Sequence, residues 1–338
     1  MKQAILLLNL GTPASPTAAG LRSYYRRFFA DPFVFDFNPI GRWLLRNFII
    51  LPFRAPRVAK DYESIWMDEG SPLQVYANRM QQSVQASFDA EQEPVLIRNA
   101  MAYSTPLVSE VMAEMEAEGV ERIVLLSMFP QYSSATTESI FHAVKQAAQK
   151  WKSQPQLHFV DDLFQEPAFI QAWVSLLSKH LSTEDVDHVI FSYHGVPEKT
   201  ILKADQAGVC EFGSCCEQVR SENRRCYRMQ CVQTTKGIAT GLGWDADFYS
   251  MAFQSRFGPL PWIQPYLDEH ILALREKGVE RLAVVTPSFI SDCLETLFEI
   301  GKEYRHEFEQ AGGREFTLVP NLNDDPDWFK AVYQIARD

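Results

Sequence analysis

Gly119-Val120-Glu121-Arg122-Ile123-Val124-Leu125-Leu126 and Gly278-Val279-Glu280-Arg281-Leu282-Ala283-Val284-Val285 are close copies of one pattern. Each follows a charged helical stretch and runs on into a proline, Pro130 or Pro287. A glycine that stops a helix and then an unbroken apolar run spells helix, turn and buried strand. A weaker pair lies upstream of each copy. Leu7-Leu8-Asn9-Leu10-Gly11-Thr12-Pro13 and Phe191-Ser192-Tyr193-His194-Gly195-Val196-Pro197 are both apolar strands that end in Gly-x-Pro. Apolar strands alternating with helices imply parallel sheets covered on both faces, so the chain reads as two doubly wound α/β halves. Ligands of such sheets bind beyond the carboxyl ends of the strands. That places function at Asn9–Pro13, Pro130–Thr137, Ser192–Pro197 and Pro287–Glu295, in a crevice expected between the halves.

The divisions follow from this repeat. Residues 1–165 form an N-terminal α/β domain and 166–338 a C-terminal one, closed by an amphipathic helix over 326–337. The interval Gly11–Gly119 is 25 residues longer than Gly195–Gly278. The excess matches the apolar segment 28–56, which is either ordinary core or an exposed lip for a greasy ligand or a bilayer. The 338 residues are 46% hydrophobic and 22% charged, a globular composition without low-complexity stretches. Net charge is −11, which argues against nucleic acid as a partner. Residues 1–60 nevertheless hold nine Lys/Arg against two acids, a local +7 suited to an anionic ligand or a membrane surface. Leu7 and its neighbours are too short a run for an export signal, and Trp43–Phe53 is too broken to span a bilayer. A cytoplasmic protein, with peripheral contact to the inner membrane left open, is the expectation, and its six cysteines are then thiols or metal ligands.

Three groups of residues carry chemistry. Asp292, Glu295 and Glu299 are spaced i, i+3, i+7, which on a helix puts three carboxylates on one face. Such a row could relay protons, guide a hard cation or simply face water. His194 ends a strand, where a neutral imidazole can take a proton or bind a divalent metal, although a lone histidine is more often structural. Weaker signals are the hydroxyl-rich loop Pro130–Thr137 and the segment Gln254-Ser255-Arg256-Phe257-Gly258 with Trp262. The third group is Cys210, Cys215, Cys216 and Cys226, in the spacing C-x4-C-C-x9-C within a polar insertion over 203–226. Four thiols in one polar loop fit zinc or an iron–sulfur cluster better than a labile disulfide, and spacing alone does not choose the metal.

Taken in order, these segments resemble the ferrochelatases. Leu7–Pro13, Tyr62–Pro72, Pro130–Ser133, Ser192–Pro197, Gln254–Gly258 and Asp292–Leu297 follow one another as that family's motifs do, across nearly the whole chain. The resemblance implies two similar Rossmann-like halves in a chelatase-like fold. It implies a lyase of haem and porphyrin biosynthesis that inserts Fe2+ into protoporphyrin IX and releases two protons. It assigns catalysis and handling of the substrate iron to His194 and Glu295, an acidic track to Asp292 and Glu299, and part of an apolar wall to Leu10, Tyr103 and Trp262. Cys231 matches a cysteine of ordinary members. The four surplus cysteines resemble those of bacterial members with an internal [2Fe–2S] cluster, which favours that cluster over zinc. Two positions depart from the pattern: Ala102 stands where many relatives carry a basic residue, and Cys293 where several carry His. The rival readings are a coproporphyrin III chelatase, a haem or porphyrin carrier, and an iron–sulfur sensor.

Overall fold

The structure, a computed structural model, describes residues 2–36 and 38–337; residue 37 of the apolar segment and both terminal residues lie outside the described part. The chain divides into two compact units. One comprises Met1–Phe129, Ser133–Asp162 and Val332–Asp338; the other comprises Pro130–Tyr132 and Leu163–Ala331.

The first unit is built on four parallel strands, β1 (Gln3–Asn9), β2 (Val95–Met101), β3 (Arg122–Ser127) and β4 (Gln156–Val160), in the order β2-β1-β3-β4. The second repeats it with β5 (His188–His194), β6 (Tyr249–Gln254), β7 (Arg281–Val285) and β8 (Glu315–Leu318), in the order β6-β5-β7-β8. The duplicated sequence pattern is thus a duplicated topology, and the two copies read from sequence are β3 and β7. The preceding helices, Val108–Ala117 and Leu267–Glu276, end ahead of Gly119 and Gly278. Both glycines are left-handed, with φ +75° and +92°, a conformation that costs a residue with Cβ. Burial follows the continuous apolar runs. Ala4 to Leu8 of β1, Val189 to Tyr193 of β5 and Leu282 to Val285 of β7 are all at most 1% exposed, as strands with helices on both faces must be. A further correspondence lies in the backbone: the Met101 N–H donates to the Pro106 carbonyl at 2.7 Å, and the Phe253 N–H to the Pro265 carbonyl at 2.8 Å.

The apolar segment resolves both ways. Leu21, Tyr25, Phe29, Ile50, Leu51, Ala55 and Ala59 pack into a cluster of their own. The opposite face of Pro39–Arg54 leaves Ile40, Trp43, Leu44, Phe48, Ile49 and Phe53 exposed, Phe53 by 73%. Among the described residues no helix is long and apolar enough to cross a membrane.

Candidate active site

Three strand ends of the second sheet bring the ionisable candidates to one edge. His194 is the last residue of β5, Gln254 the last of β6, and the segment after β7 carries Asp292 in its loop and Glu295 at the start of the following helix. His194 is half-buried, and its Nδ1 lies 2.7 Å from the Gly195 carbonyl oxygen. A carbonyl only accepts, so Nδ1 carries a hydrogen, and in the neutral ring Nε2 is then the acceptor. The backbone of His194 is held on both sides: its N–H donates to Ser288 Oγ at 3.4 Å, and its carbonyl accepts from the Tyr227 hydroxyl at 2.8 Å. The next residue has to be glycine. A Cβ on Gly195 would stand 2.9 Å from the Gln254 carbonyl oxygen and 3.1 Å from the ring of Trp262. That close approach packs Trp262 beside His194's neighbour, with its indole N–H donated to the Phe257 carbonyl at 3.0 Å.

The carboxylates occupy two environments. Glu295 opens a wide-turned, π-helical segment, Glu295–Tyr304, a form often found at functional sites. Its carbonyl accepts from Gln254 Nε2 at 2.9 Å, and Gln254 Oε1 in turn accepts from Ser192 Oγ at 2.8 Å. One turn on, Glu299 accepts from Ser255 Oγ at 2.6 Å. Ser255 reaches it from a left-handed backbone, φ +65°, which is rare for a residue other than glycine. Burial pushes the Glu299 carboxyl up to about 7, the Ser255 hydrogen bond works against that rise, and the charge of Glu295 adds to it. A carboxyl so placed can hold or release a proton near neutrality.

Asp292 corrects the expectation of three carboxylates on one helical face. It precedes the helix and is buried, with one oxygen accepting from Asn323 Nδ2 at 2.7 Å and the other from the Asn321 N–H at 3.3 Å. Its own N–H donates to Asn323 Oδ1 at 2.8 Å. Asp292 therefore ties the loop after β8 to the helix start, and burial raises its carboxyl above the usual range. Arg256 is likewise engaged elsewhere, paired with Asp268 at 2.6 Å and Glu269 at 3.2 Å over the ring of Tyr266.

Leu10 and Tyr103 belong to the first unit, at the carboxyl edge of its sheet. Leu10 is half-buried beyond β1. Tyr103 is 5% exposed, with Tyr24 and Phe28 edge-on to its ring. Its hydroxyl donates to Asp31 at 2.7 Å, and Ser139 donates to the same oxygen at 2.6 Å. In the Pro130–Thr137 loop, Ser133 caps the turn that follows and Thr137 bonds Ser127 at 3.2 Å. Sequence reasoning placed Ser192 and Ser288 within functional segments without giving either a role, and missed Tyr227. Ser192 alone left a signal, as a polar residue within an otherwise apolar run.

Cys210, Cys215 and Cys226 line one concavity with Asp205, Val209 and Met229, and Cys216 lies buried beside Cys215. Their thiols form a string. Cys210 bonds Cys215, Cys215 and Cys216 lie 4.0 Å apart, and Cys216 bonds Cys226, which pulls the Cys226 thiol below its ordinary value. The Glu211 N–H points at Cys215 Sγ at 3.3 Å, and Arg228 Nη1 at Cys216 Sγ at 3.2 Å. Among the described residues no three His, Cys, Asp or Glu side chains converge as one ion requires. Four neighbouring sulfurs with N–H donors around them are the donor type an iron–sulfur cluster takes.

Comparison with known proteins matches this arrangement to one family. The ferrochelatase family profile covers residues 2–338. A ferrochelatase of Legionella pneumophila (strain Paris) is 38% identical over 338 residues, all of this chain and 99% of that protein. One from Coxiella burnetii (strain CbuG_Q212) is 37% identical over 337 residues, 99% of this chain and 93% of the other. Among solved structures, SirB from Bacillus subtilis with Fe3+ superposes with a TM-score of 0.56 at 11% identity, covering all of this chain and 95% of SirB, a likeness of fold alone. With a full-length family match and relatives of this identity, the chain belongs to the ferrochelatase family of lyases.

Proposed function

We propose that the chain inserts Fe2+ into protoporphyrin IX to give protohaem. The observation that carries this is His194, its Nδ1 bonded to the Gly195 carbonyl and its Nε2 left over for a reaction partner, on the same sheet edge as Glu295 and Glu299. Metal insertion requires two pyrrole N–H protons to leave as four nitrogens take up the ion. Nε2 accepts one, and the resulting imidazolium is stabilised by its Nδ1–H bond to the Gly195 carbonyl. Glu295 takes the other, and Glu299, whose carboxyl is raised to about 7, can receive it in turn in its ionised form and release it near neutrality. Trp262 supplies a flat apolar wall beside Gly195, and the family resemblance gives Leu10 and Tyr103 a role in porphyrin contact. A carrier needs no proton acceptors, so this edge supports an enzyme over a binding protein. The test supplies Fe2+ and protoporphyrin IX anaerobically to the intact chain and follows the haem Soret band. Turnover is expected, faster than with coproporphyrin III; none with either porphyrin overturns the reading.

Cys210, Cys215, Cys216 and Cys226 would hold a [2Fe–2S] cluster, which when bound supplies a one-electron couple and a cross-link through the insertion. The exposed row Ile40, Trp43, Leu44, Phe48, Ile49 and Phe53, with Arg42, Arg46, Arg54 and Arg57 close in sequence, supports peripheral contact of a cytoplasmic protein with an anionic inner-membrane surface.

A further inference from the structure

The first two residues of helix Tyr227–Leu242 face opposite tasks. Tyr227 follows Cys226, the cap of that helix, and its hydroxyl donates to the His194 carbonyl at 2.8 Å. Ser288 bonds the same phenol oxygen and accepts the His194 N–H at 3.4 Å. The donors and acceptors close a ring: His194 N–H to Ser288, Ser288 O–H to Tyr227, Tyr227 O–H to the His194 carbonyl. The buried Cys231 thiol also reaches the phenol oxygen, and turning any member of the ring disturbs the others. Arg228, the next residue, donates to Cys216 Sγ at 3.2 Å and to the Gln264 carbonyl at 3.4 Å. One helical turn therefore holds a sulfur of the cysteine string with one side chain and the backbone of His194 with its neighbour.

We propose that Tyr227 is a positioning residue for His194, and that through it the state of the four-cysteine loop sets where the His194 imidazole stands. The inference rests on the reading above, in which His194 reacts with the porphyrin, and on the cysteine loop's being a metal centre. Tyr227 touches no substrate; it fixes the peptide unit that carries the imidazole. A sub-ångström shift of that unit changes the reach of Nε2 to a pyrrole proton and leaves the apolar walls that bind the macrocycle untouched. Loss of its hydroxyl therefore lowers kcat and spares KM for the porphyrin.

The experiment uses the full chain purified anaerobically with its cysteine loop loaded. It compares Tyr227→Phe, Ser288→Ala, Arg228→Gln and His194→Ala. Tyr227→Phe and Ser288→Ala should each lower kcat by about 10-fold, the effect of one lost hydrogen bond, with KM for porphyrin within about 2-fold. Ring-labelled histidine NMR at one fixed pH, with the His194 signal identified by its loss in His194→Ala, should show that signal displaced in both. Arg228→Gln, which touches the loop and not His194, should displace the same signal. A merely structural role would lower the melting temperature and leave kcat per folded molecule and the His194 signal in place. That outcome in Tyr227→Phe and Ser288→Ala overturns the positioning role. An unmoved His194 signal in Arg228→Gln overturns the link to the loop. Near-normal turnover by His194→Ala overturns the active-site reading itself, and this inference with it.

Discussion

Acid should weaken the second unit through His188, at the end of β5 remote from His194. His188 Nε2 lies 2.8 Å from Ser250 Oγ, and the same oxygen lies 2.7 Å from His270 Nε2. His188 also donates to the Asp247 backbone, so Nδ1 bears its hydrogen and Nε2 accepts from Ser250. His270 then donates to Ser250, and the chain of donors has one direction. A second proton on His188 displaces the Ser250 hydrogen from Nε2 and puts a charge in a buried site. Burial first, then the charges of His270 and Lys277, lower its pKa from 6.5 to about 4, and burial lowers that of His270 as well. For a histidine with a depressed folded pKa the unfolded chain binds more protons. The stabilisation is therefore complete above the unfolded value of 6.5 and is lost as pH falls towards about 4. The whole span corresponds to about 3 kcal/mol, and the part between roughly pH 7.5 and pH 5 to about 2 kcal/mol. Replacing His188 by Asn keeps a polar partner for Ser250 and removes the titration. Urea unfolding at the two pH values should show the unaltered chain losing about 2 kcal/mol more than His188→Asn. Equal losses, or a His188 imidazole titrating near 6.5 by NMR, would refute the argument.

Three further outcomes follow from the site. His194→Ala and Glu295→Gln should each reduce turnover by at least ~100-fold, the low end for removal of an acid–base group, with porphyrin binding retained; near-normal rates in either reject its role. Serine at Cys210, Cys216 or Cys226 should abolish visible absorption and bound iron and sulfide in the anaerobic protein, and a colourless unaltered protein carrying one zinc would exclude the cluster. Phe48→Ser with Phe53→Ser should weaken partition onto anionic vesicles by at least ~10-fold, since each ring contributes about 1.5–3 kcal/mol when buried; unchanged sedimentation with vesicles would remove the lip from membrane contact.

The repeat at Gly119 and Gly278 carried most of the fold into the sequence, because a helix stop followed by a strand buried on both faces leaves little freedom of reading. The placement of His194 at a strand end, and of Glu295 just beyond the next, was legible for the same reason: strand ends are identifiable once strands are. Asp292 was misplaced because its captors, Asn321 and Asn323, lie about 30 residues on and carry no periodic signal. The wide turns of Glu295–Tyr304 are invisible to spacing, since positions i and i+4 share a face in either helix form. Tyr227 was missed because it binds a backbone carbonyl, a group every residue has. The face of 28–56 that turns outward could not be told from the face that packs until the helices Pro39–Leu45 and Ala55–Glu63 were in place.

The repeated strand order bears on how such a protein can change. At matching positions where β1 and β5 end, the chain carries Leu10 and His194, each followed by a glycine. One scaffold thus tolerates a hydrocarbon or an imidazole at the same address, because the residues that set its stability lie deeper along the strands. New metal or macrocycle preferences could then arise by exchange of a few rim side chains, with the frame beneath inherited intact.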